Sequence, residues 1–408
     1  MAGDNVVTGR LALGLVGMML VAALSACQTS NTAPAYPPAF QNQAAGEAVD
    51  RVMGFVARAV DEIAAYHLTP VDEAELRSIA AAYLIGGMER GESTDQLIRG
   101  AVGAMMVSLG NQNDVLDFVQ KHRSESGQPA GVGLFEAQSP EGGRRVVAVH
   151  PGGPLFELGV RPGWQLTSID GVPREAYDGF ELFSRLRGAE GSTVRLGFVD
   201  NRGRRQEFEV ARVAFSSMPP VVGTCSRPAI VRIYSFNQPV VEHFDDFMAE
   251  CPAGAQVIDL RGNSGGTLAS MEEAVGMFVG DAPIFALRTR GDRSVRRSNG
   301  AVRRHQPPAI LLTDRYTAAA AEVFADALRR NAGVLIAGER THGSNDIHTI
   351  EHIKDGLYMR LLTGRIEDPD TGRPLGPLTP DKVIVDDPET DLDEVMLALP
   401  GLVELSEE

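Results

Sequence analysis

Between Glu47 and Val119 the apolar positions return every three or four residues. Val52, Val56, Val60 and Ile63 form one stripe, and Leu76, Ile79, Ala80, Tyr83 and Leu84 form another. That spacing predicts amphipathic helices packed on one another. From Gly131 to Arg212 the texture changes to short runs broken by glycine turns. Arg145 to His150, Thr193 to Asp200 and Arg205 to Arg212 read as strands, with an amphipathic segment from Tyr177 to Arg187. Beyond Ser216 the pattern alternates. Apolar runs at Ile230 to Tyr234, Val257 to Leu260, Ala309 to Thr313 and Val334 to Gly338 are separated by helical stretches. Those stretches are Pro239 to Glu250, Ser270 to Phe278 and an alanine-rich segment ending at Arg330, with a terminal helix near Leu392 to Leu399. Strand–helix alternation predicts an α/β core with right-handed parallel crossovers.

The 408 residues suffice for several domains, and 43% hydrophobic content suits a packed core. A formal charge of −16 argues against nucleic acid as a partner, because phosphate binding needs a basic face. Asp386 to Glu408 carries nine carboxylates and no Lys or Arg, which reads as a solvated end. The arginines from Arg288 to Arg304 read as an exposed segment, and Trp164 as a packing residue.

At the N-terminus Arg10 precedes an apolar stretch, Leu11 to Ala23, of signal-peptide length, followed by Leu24-Ser25-Ala26-Cys27. Small residues before a cysteine resemble the lipobox of bacterial lipoproteins, which implies lipidation at Cys27. Two or more acyl chains give stable membrane attachment. Gln28 to Gln43, rich in Pro, Ala, Asn, Gln and Thr, reads as a tether. The expected location is the bacterial cell envelope, lipid-anchored and periplasm-facing, with the outer membrane suggested by Gln28. The remaining cysteines, Cys225 and Cys251, each stand five or six residues before a strand and at the same sheet edge. They are a disulfide candidate, with two free thiols the alternative.

Gly131-Val132-Gly133-Leu134, Pro151-Gly152-Gly153-Pro154-Leu155, Gly159 to Trp164 and Leu166 to Gly171 occur in order before the last two strands. Together they resemble a PDZ domain of the bacterial protease type. Backbone N–H groups of a glycine-lined turn converge on one carboxylate, so Gly131, Val132, Gly133 and Leu134 are the expected binders of a chain's C-terminus. The expected organisation is a signal peptide (1–26), a tether (27–45), a helical subdomain (46–127), a PDZ-like β-rich domain (128–215), an α/β core (216–400) and an acidic tail (401–408).

Asp259-Leu260-Arg261-Gly262-Asn263-Ser264-Gly265-Gly266, Gly338-Glu339-Arg340-Thr341-His342-Gly343 and Leu378-Thr379-Pro380-Asp381 resemble the tail-specific, or carboxyl-terminal-processing, serine proteases. The resemblance runs from about Gly46 to Val385 and implies a crotonase-like α/β core. It also implies a serine activated by a neutral lysine that a glutamine orients. The serine position, taken as the residue before Glu322, is Ala321; the lysine position is Ser344; the glutamine position matches His348. All three are replaced. Gly265 and Gly266 are the expected oxyanion-type backbone donors.

The resemblance therefore implies a pseudoprotease that binds C-terminal or unfolded tails, alone or with an active protease or envelope partner. The alternative is a serine endopeptidase with displaced groups. Gly262-Asn263-Ser264-Gly265-Gly266 satisfies a nucleophile-elbow pattern at Ser264. Ser344 with His342 or His348, and Asp346 or Glu351, is a second arrangement. A metal at His342, His348 and His352, with Asp346 or Glu351, would need a helix there, since a strand sets His348 and His352 too far apart. No cofactor motif is present, and no metal site is expected.

Overall fold

The computed structural model describes residues 43–384, apart from 111–113, 118–129, 139–142, 178–181, 183–184, 226–227, 237–239, 252–254, 299–303 and 355. The leader, Cys27, the tether, the terminal helix and the acidic tail lie outside the described residues. Among the described residues no helix is long and apolar enough to cross a membrane.

The chain divides into two compact units. One gathers residues up to 122 with 288–292 and 346–365; the other holds 123–287, 293–345 and the residues from 366 on. In the first unit, α1 (Gln43–Tyr66) buries the predicted Val52, Val56, Val60 and Ile63 stripe. Asp72 opens α2 (Glu73–Glu89) by accepting from Ala74 N at 2.8 Å, which satisfies one of the amides a helix start leaves bare. A reciprocal Ser93–Gln96 capping box opens α3 (Thr94–Ser108). At Gly100 a Cβ would fall 2.0 Å from the Tyr83 ring, so only glycine permits the approach of α2 to α3. β1 (Asp114–Asp117) pairs with a later strand of the same unit.

The second unit starts with a β-rich segment. β2 (Ala130–Gly131) leads to β3 (Leu134–Gln138), β4 (Arg144–Val149), the short α4 (Pro154–Glu157), β5 (Gln165–Ile169), β6 (Val172–Pro173), β7 (Thr193–Val199), β8 (Arg205–Ala211) and β9 (Val213–Ala214). Three antiparallel groups result: β2 with β9, β3 with β4, and the order β6-β5-β7-β8. Leu155, Val160, Leu166, Leu196 and Phe198 fill its core, and Trp164 meets Phe198 edge-on at 6.1 Å, as expected of a packing residue. Much of the predicted Tyr177 to Arg187 segment lies outside the described residues.

Next come β10 (Val221–Thr224), β11 (Ile230–Ile233), α5 (Val240–Glu250), β12 (Val257–Asp259), α6 (Leu268–Val279), β13 (Pro283–Thr289), β14 (Arg293–Arg297), β15 (Ile310–Thr313), α7 (Ala320–Ala332), β16 (Leu335–Gly338), β17 (Asp346–Lys354), β18 (Leu357–Glu367) and β19 (Lys382–Val383). The main sheet runs β10-β11-β12-β15-β16-β19, parallel except for β10 against β11. Its inner strands are mostly apolar because helices cover a parallel sheet, with Arg232 and Asp259 the charged exceptions. This is the predicted α/β alternation.

One boundary differs from expectation. Residues 346–365, assigned from sequence to the α/β core, belong to the helical unit. There β17 pairs with β18, and β18 with β1, while Ile353, Leu357, Met359 and Leu361 complete the cluster made by α1 to α3. A hairpin with one apolar face must bury it somewhere, and the helices offer the matching surface. The β-rich segment and the α/β core, expected as two domains, fall in a single compact unit. The arginine segment is no bare basic patch: Arg293 pairs with Glu367 at 2.9 Å, Arg296 with Glu272 at 3.0 Å, Arg297 with Asp281 at 2.8 Å and Arg304 with Asp245 at 2.9 Å.

Candidate functional site

Loops leaving the carboxyl ends of β12, β15 and β16 meet at one edge of the main sheet, the place where open α/β sheets carry ligands. They are 260–266, 314–319 and 339–345. Hydrogen bonds lock each to the next. Gly262 N donates to Asp314 Oδ2 at 2.9 Å, Thr317 Oγ1 to Leu260 O at 3.0 Å and Ala318 N to Asn263 O at 3.0 Å. His342 N donates to Thr317 O at 3.0 Å, and the Arg315 guanidinium pairs with Glu339 at 2.6 Å.

Two buried carboxylates organise the turn into α7. Asp314 accepts from Gly262 N, Tyr316 N and Thr317 N, yet burial dominates and pushes its pKa up to about 6, with nearby Asp259 adding to the rise. Glu322 accepts from Ala319 N at 3.0 Å, Gly343 N at 2.6 Å, Ser344 N at 2.8 Å and Thr341 Oγ1 at 2.5 Å. Burial still raises its pKa above the ordinary carboxylate value. Burial works in the same direction on Asp259, but the guanidiniums of Arg261 at 3.0 Å and Arg232 at 3.7 Å overcome it and hold that carboxylate below its usual range.

At the mouth of α7 the backbone is strained. Ala319, the residue before the helix, has φ 51° and ψ −120°, a region that a residue with a Cβ occupies only at a cost of about 1–3 kcal/mol. Such a strand–turn–helix junction is how α/β enzymes present a nucleophile. Gly265 makes room for it: a Cβ there would lie 2.9 Å from Ala320 N and 3.0 Å from Ala319 Cβ.

Here the geometry corrects the sequence reading. Ala321 is 0% exposed, one residue inside α7 and turned into the core, so it presents nothing to a substrate. Ala319 is partly exposed and sits on the strained turn. It was missed because four consecutive alanines give no local hint of which one the fold turns outward. Either position carries only a methyl group.

Ser344 is held by its backbone N–H against Glu322, and its side chain is exposed. His348 lies on β17 in the other compact unit. Ser264 is exposed on the β12 loop. Among the described residues neither Ser264 nor Ser344 has a side-chain hydrogen bond to any base. The chain's three lysines are Lys121, Lys354 and Lys382. Lys354 pairs with Asp95 in the helical unit and Lys382 is exposed on β19. None stands in the 339–345 loop. The oxyanion reading also changes: Gly265 N donates to Asn263 Oδ1 at 2.8 Å, so that amide is already committed, while Gly266 is exposed. Segment 346–354 is a strand, which separates His348 from His352 as the strand alternative required.

In the β-rich segment, Gly131 pairs with Val213, Val132 is buried, and Gly133 adopts φ +72°. Gly133 O accepts from His150 N at 2.8 Å. A Cβ on Gly133 would meet Gly153 Cα and Met218 Sδ at 3.0 Å, so the turn requires glycine. Leu134 begins β3, which among the described strands pairs only with β4.

Residues 227–384 match the family model described as Peptidase family S41. The chain is 28% identical over 263 residues to carboxyl-terminal-processing peptidase 2, chloroplastic, of Arabidopsis thaliana, covering 60% of this chain and 51% of that one. It is 28% identical over 257 residues to a carboxyl-terminal-processing protease of Synechocystis sp., covering 60% of each. The chain thus spans between half and three fifths of these relatives' length. A solved structure titled photosystem II D1 C-terminal processing protease superposes with a TM-score of 0.63 at 23% identity, covering 85% of this chain and 96% of that one. Residues 227–384 therefore carry a match to peptidase family S41, within a chain that has the fold of a carboxyl-terminal-processing protease.

Proposed function

We propose that this chain is a catalytically silent homologue of the carboxyl-terminal-processing proteases, one that holds polypeptide tails without cutting them. The observation that carries the reading is the strained turn at Ala319. The junction built to present a nucleophile is kept, with its glutamate and its glycine, but it presents a methyl group. A methyl group cannot form an acyl intermediate, and loss of a serine nucleophile alone costs roughly a million-fold in turnover in subtilisin. The matched lysine position is a serine whose side chain makes no hydrogen bond to a base among the described residues.

Tail capture is assigned to the β-rich segment, read as a PDZ module. The Gly131–Leu134 turn would receive a terminal carboxylate, and the edge of β3 that has no partner among the described strands would take the tail as an added strand. Cys27 is proposed as a lipid attachment point that places the protein on the cell envelope. Incorporation of a labelled fatty acid into wild type but not into Cys27→Ser tests that part.

The function is tested on the purified full chain with an unstructured tail peptide. Saturable binding of the free-carboxylate peptide, loss of binding by its amide, and no cleavage are expected. Cleavage abolished by Ser264→Ala or Ser344→Ala would overturn the silent reading and identify the nucleophile. Equal binding of acid and amide would remove the PDZ assignment.

A further inference from the structure

The two cysteines outside the leader sit on neighbouring elements whose directions coincide. β10 runs antiparallel to β11, and α5 returns from β11 to the parallel β12, so α5 advances in the same sense as β10. The two elements touch at Gly223, where a Cβ would lie 2.4 Å from Phe247 Cε2. Cys225 follows Gly223 by two residues, about 6.8 Å along a strand, and Cys251 follows Phe247 by four, about 6 Å along a helix. The helical bond from Cys251 N to Phe247 O, 2.9 Å, keeps Cys251 on that face. Starting from one contact, the two chains therefore deliver both thiols to the same level. Both thiols are free, Cys225 exposed and Cys251 buried.

We propose that Cys225 and Cys251 form a modification site that closes an intramolecular disulfide by exchange with a disulfide donor, either a low-molecular-weight one or a dithiol oxidoreductase. The exposed Cys225 thiolate attacks one sulfur of the donor and expels a donor thiolate, giving a mixed disulfide. Cys251 then gives its proton to solvent and attacks Cys225 Sγ, expelling the second donor thiolate. Two protons and two electrons leave the protein, and the donor disulfide is reduced to two thiols. Contact with Cys251, then burial, then the Glu250 charge raise the Cys225 pKa to about 11. Little thiolate is present at neutral pH, so exchange is slow and speeds up with pH. The closed ring would staple α5 to β10 and enclose β11.

The test uses the full chain carrying Cys27→Ser, which removes the third thiol, equilibrated with oxidised glutathione and quenched in acid. Peptide mapping should recover Cys225 linked to Cys251 with a mass lower by two hydrogens. Thermal unfolding should shift upward by roughly 5–10 °C, reversed by dithiothreitol and absent in a further Cys225→Ser variant. Two alkylatable thiols after equilibration, or glutathione retained on Cys225 without closure, would overturn the proposal. So would an equal thermal shift in the Cys225→Ser variant.

Discussion

Gly265→Ala probes the closest approach between the β12 loop and the start of α7. The new Cβ would stand 2.9 Å from Ala320 N, 3.0 Å from Ala318 O and 3.0 Å from Ala319 Cβ. Two of these are backbone atoms that cannot swing aside, so the loop or the helix start must shift. Crowding of this kind costs about 1–3 kcal/mol. The residue also holds φ +101°, which adds about 1–2 kcal/mol once a Cβ is present. The total expected loss is about 2–5 kcal/mol.

Gly333→Ala is the internal control. Its φ is +69°, but nothing lies within 4 Å of the added Cβ, so only the conformational cost of about 1 kcal/mol remains. Urea unfolding followed by far-ultraviolet circular dichroism measures both, with an unchanged m-value required for the comparison. If Gly265→Ala loses no more stability than Gly333→Ala, the two loops are not in the contact described, and the packing around Ala319 falls with it.

Other outcomes follow from the same geometry. Ala319→Ser combined with Ser344→Lys should gain labelling by a serine-directed fluorophosphonate, whereas Ala321→Ser with Ser344→Lys should not; the reverse would restore Ala321 as the presented position. Asp314 has a folded pKa of about 6 against an ordinary 3.8, so the folded state takes up a proton first as pH falls. Its contribution is therefore favourable at low pH and lost as pH rises through 6. The stability difference between wild type and Asp314→Asn should move in favour of wild type by about 2 kcal/mol from pH 7.5 to 4.5, and a flat difference refutes the burial argument. Trp164→Phe should remove the chain's single indole signal while sparing the fold, so fluorescence unfolding of wild type reports the β-rich segment alone. Trp164→Ala, which empties a buried site, should cost about 3–5 kcal/mol by calorimetry of that transition.

What the sequence determined by itself was periodic or chemical. The Val52, Val56, Val60 and Ile63 stripe, the strand–helix alternation beyond Ser216 and the glycines of 262–266 announced their elements, because side-chain period and backbone freedom are local properties. The lack of a hydroxyl anywhere from Ala318 to Ala321, and of a lysine after Gly343, was equally legible, since composition needs no coordinates.

Tertiary structure alone decided which way those residues face. Ala319 and Ala321 are chemically identical; a strained φ and the Glu322 carboxylate turn one toward the site, while the helix turns the other into the core. Residues 346–365 carry a strand pattern that any apolar surface could accept, and contact with α1 to α3 chose the helical unit. The Gly265 amide was spent on Asn263, and Arg293, Arg296, Arg297 and Arg304 were paired with carboxylates up to 74 positions away in the chain. Each of these depends on contacts between segments distant in sequence, where burial and hydrogen-bond competition, not local propensity, set the answer.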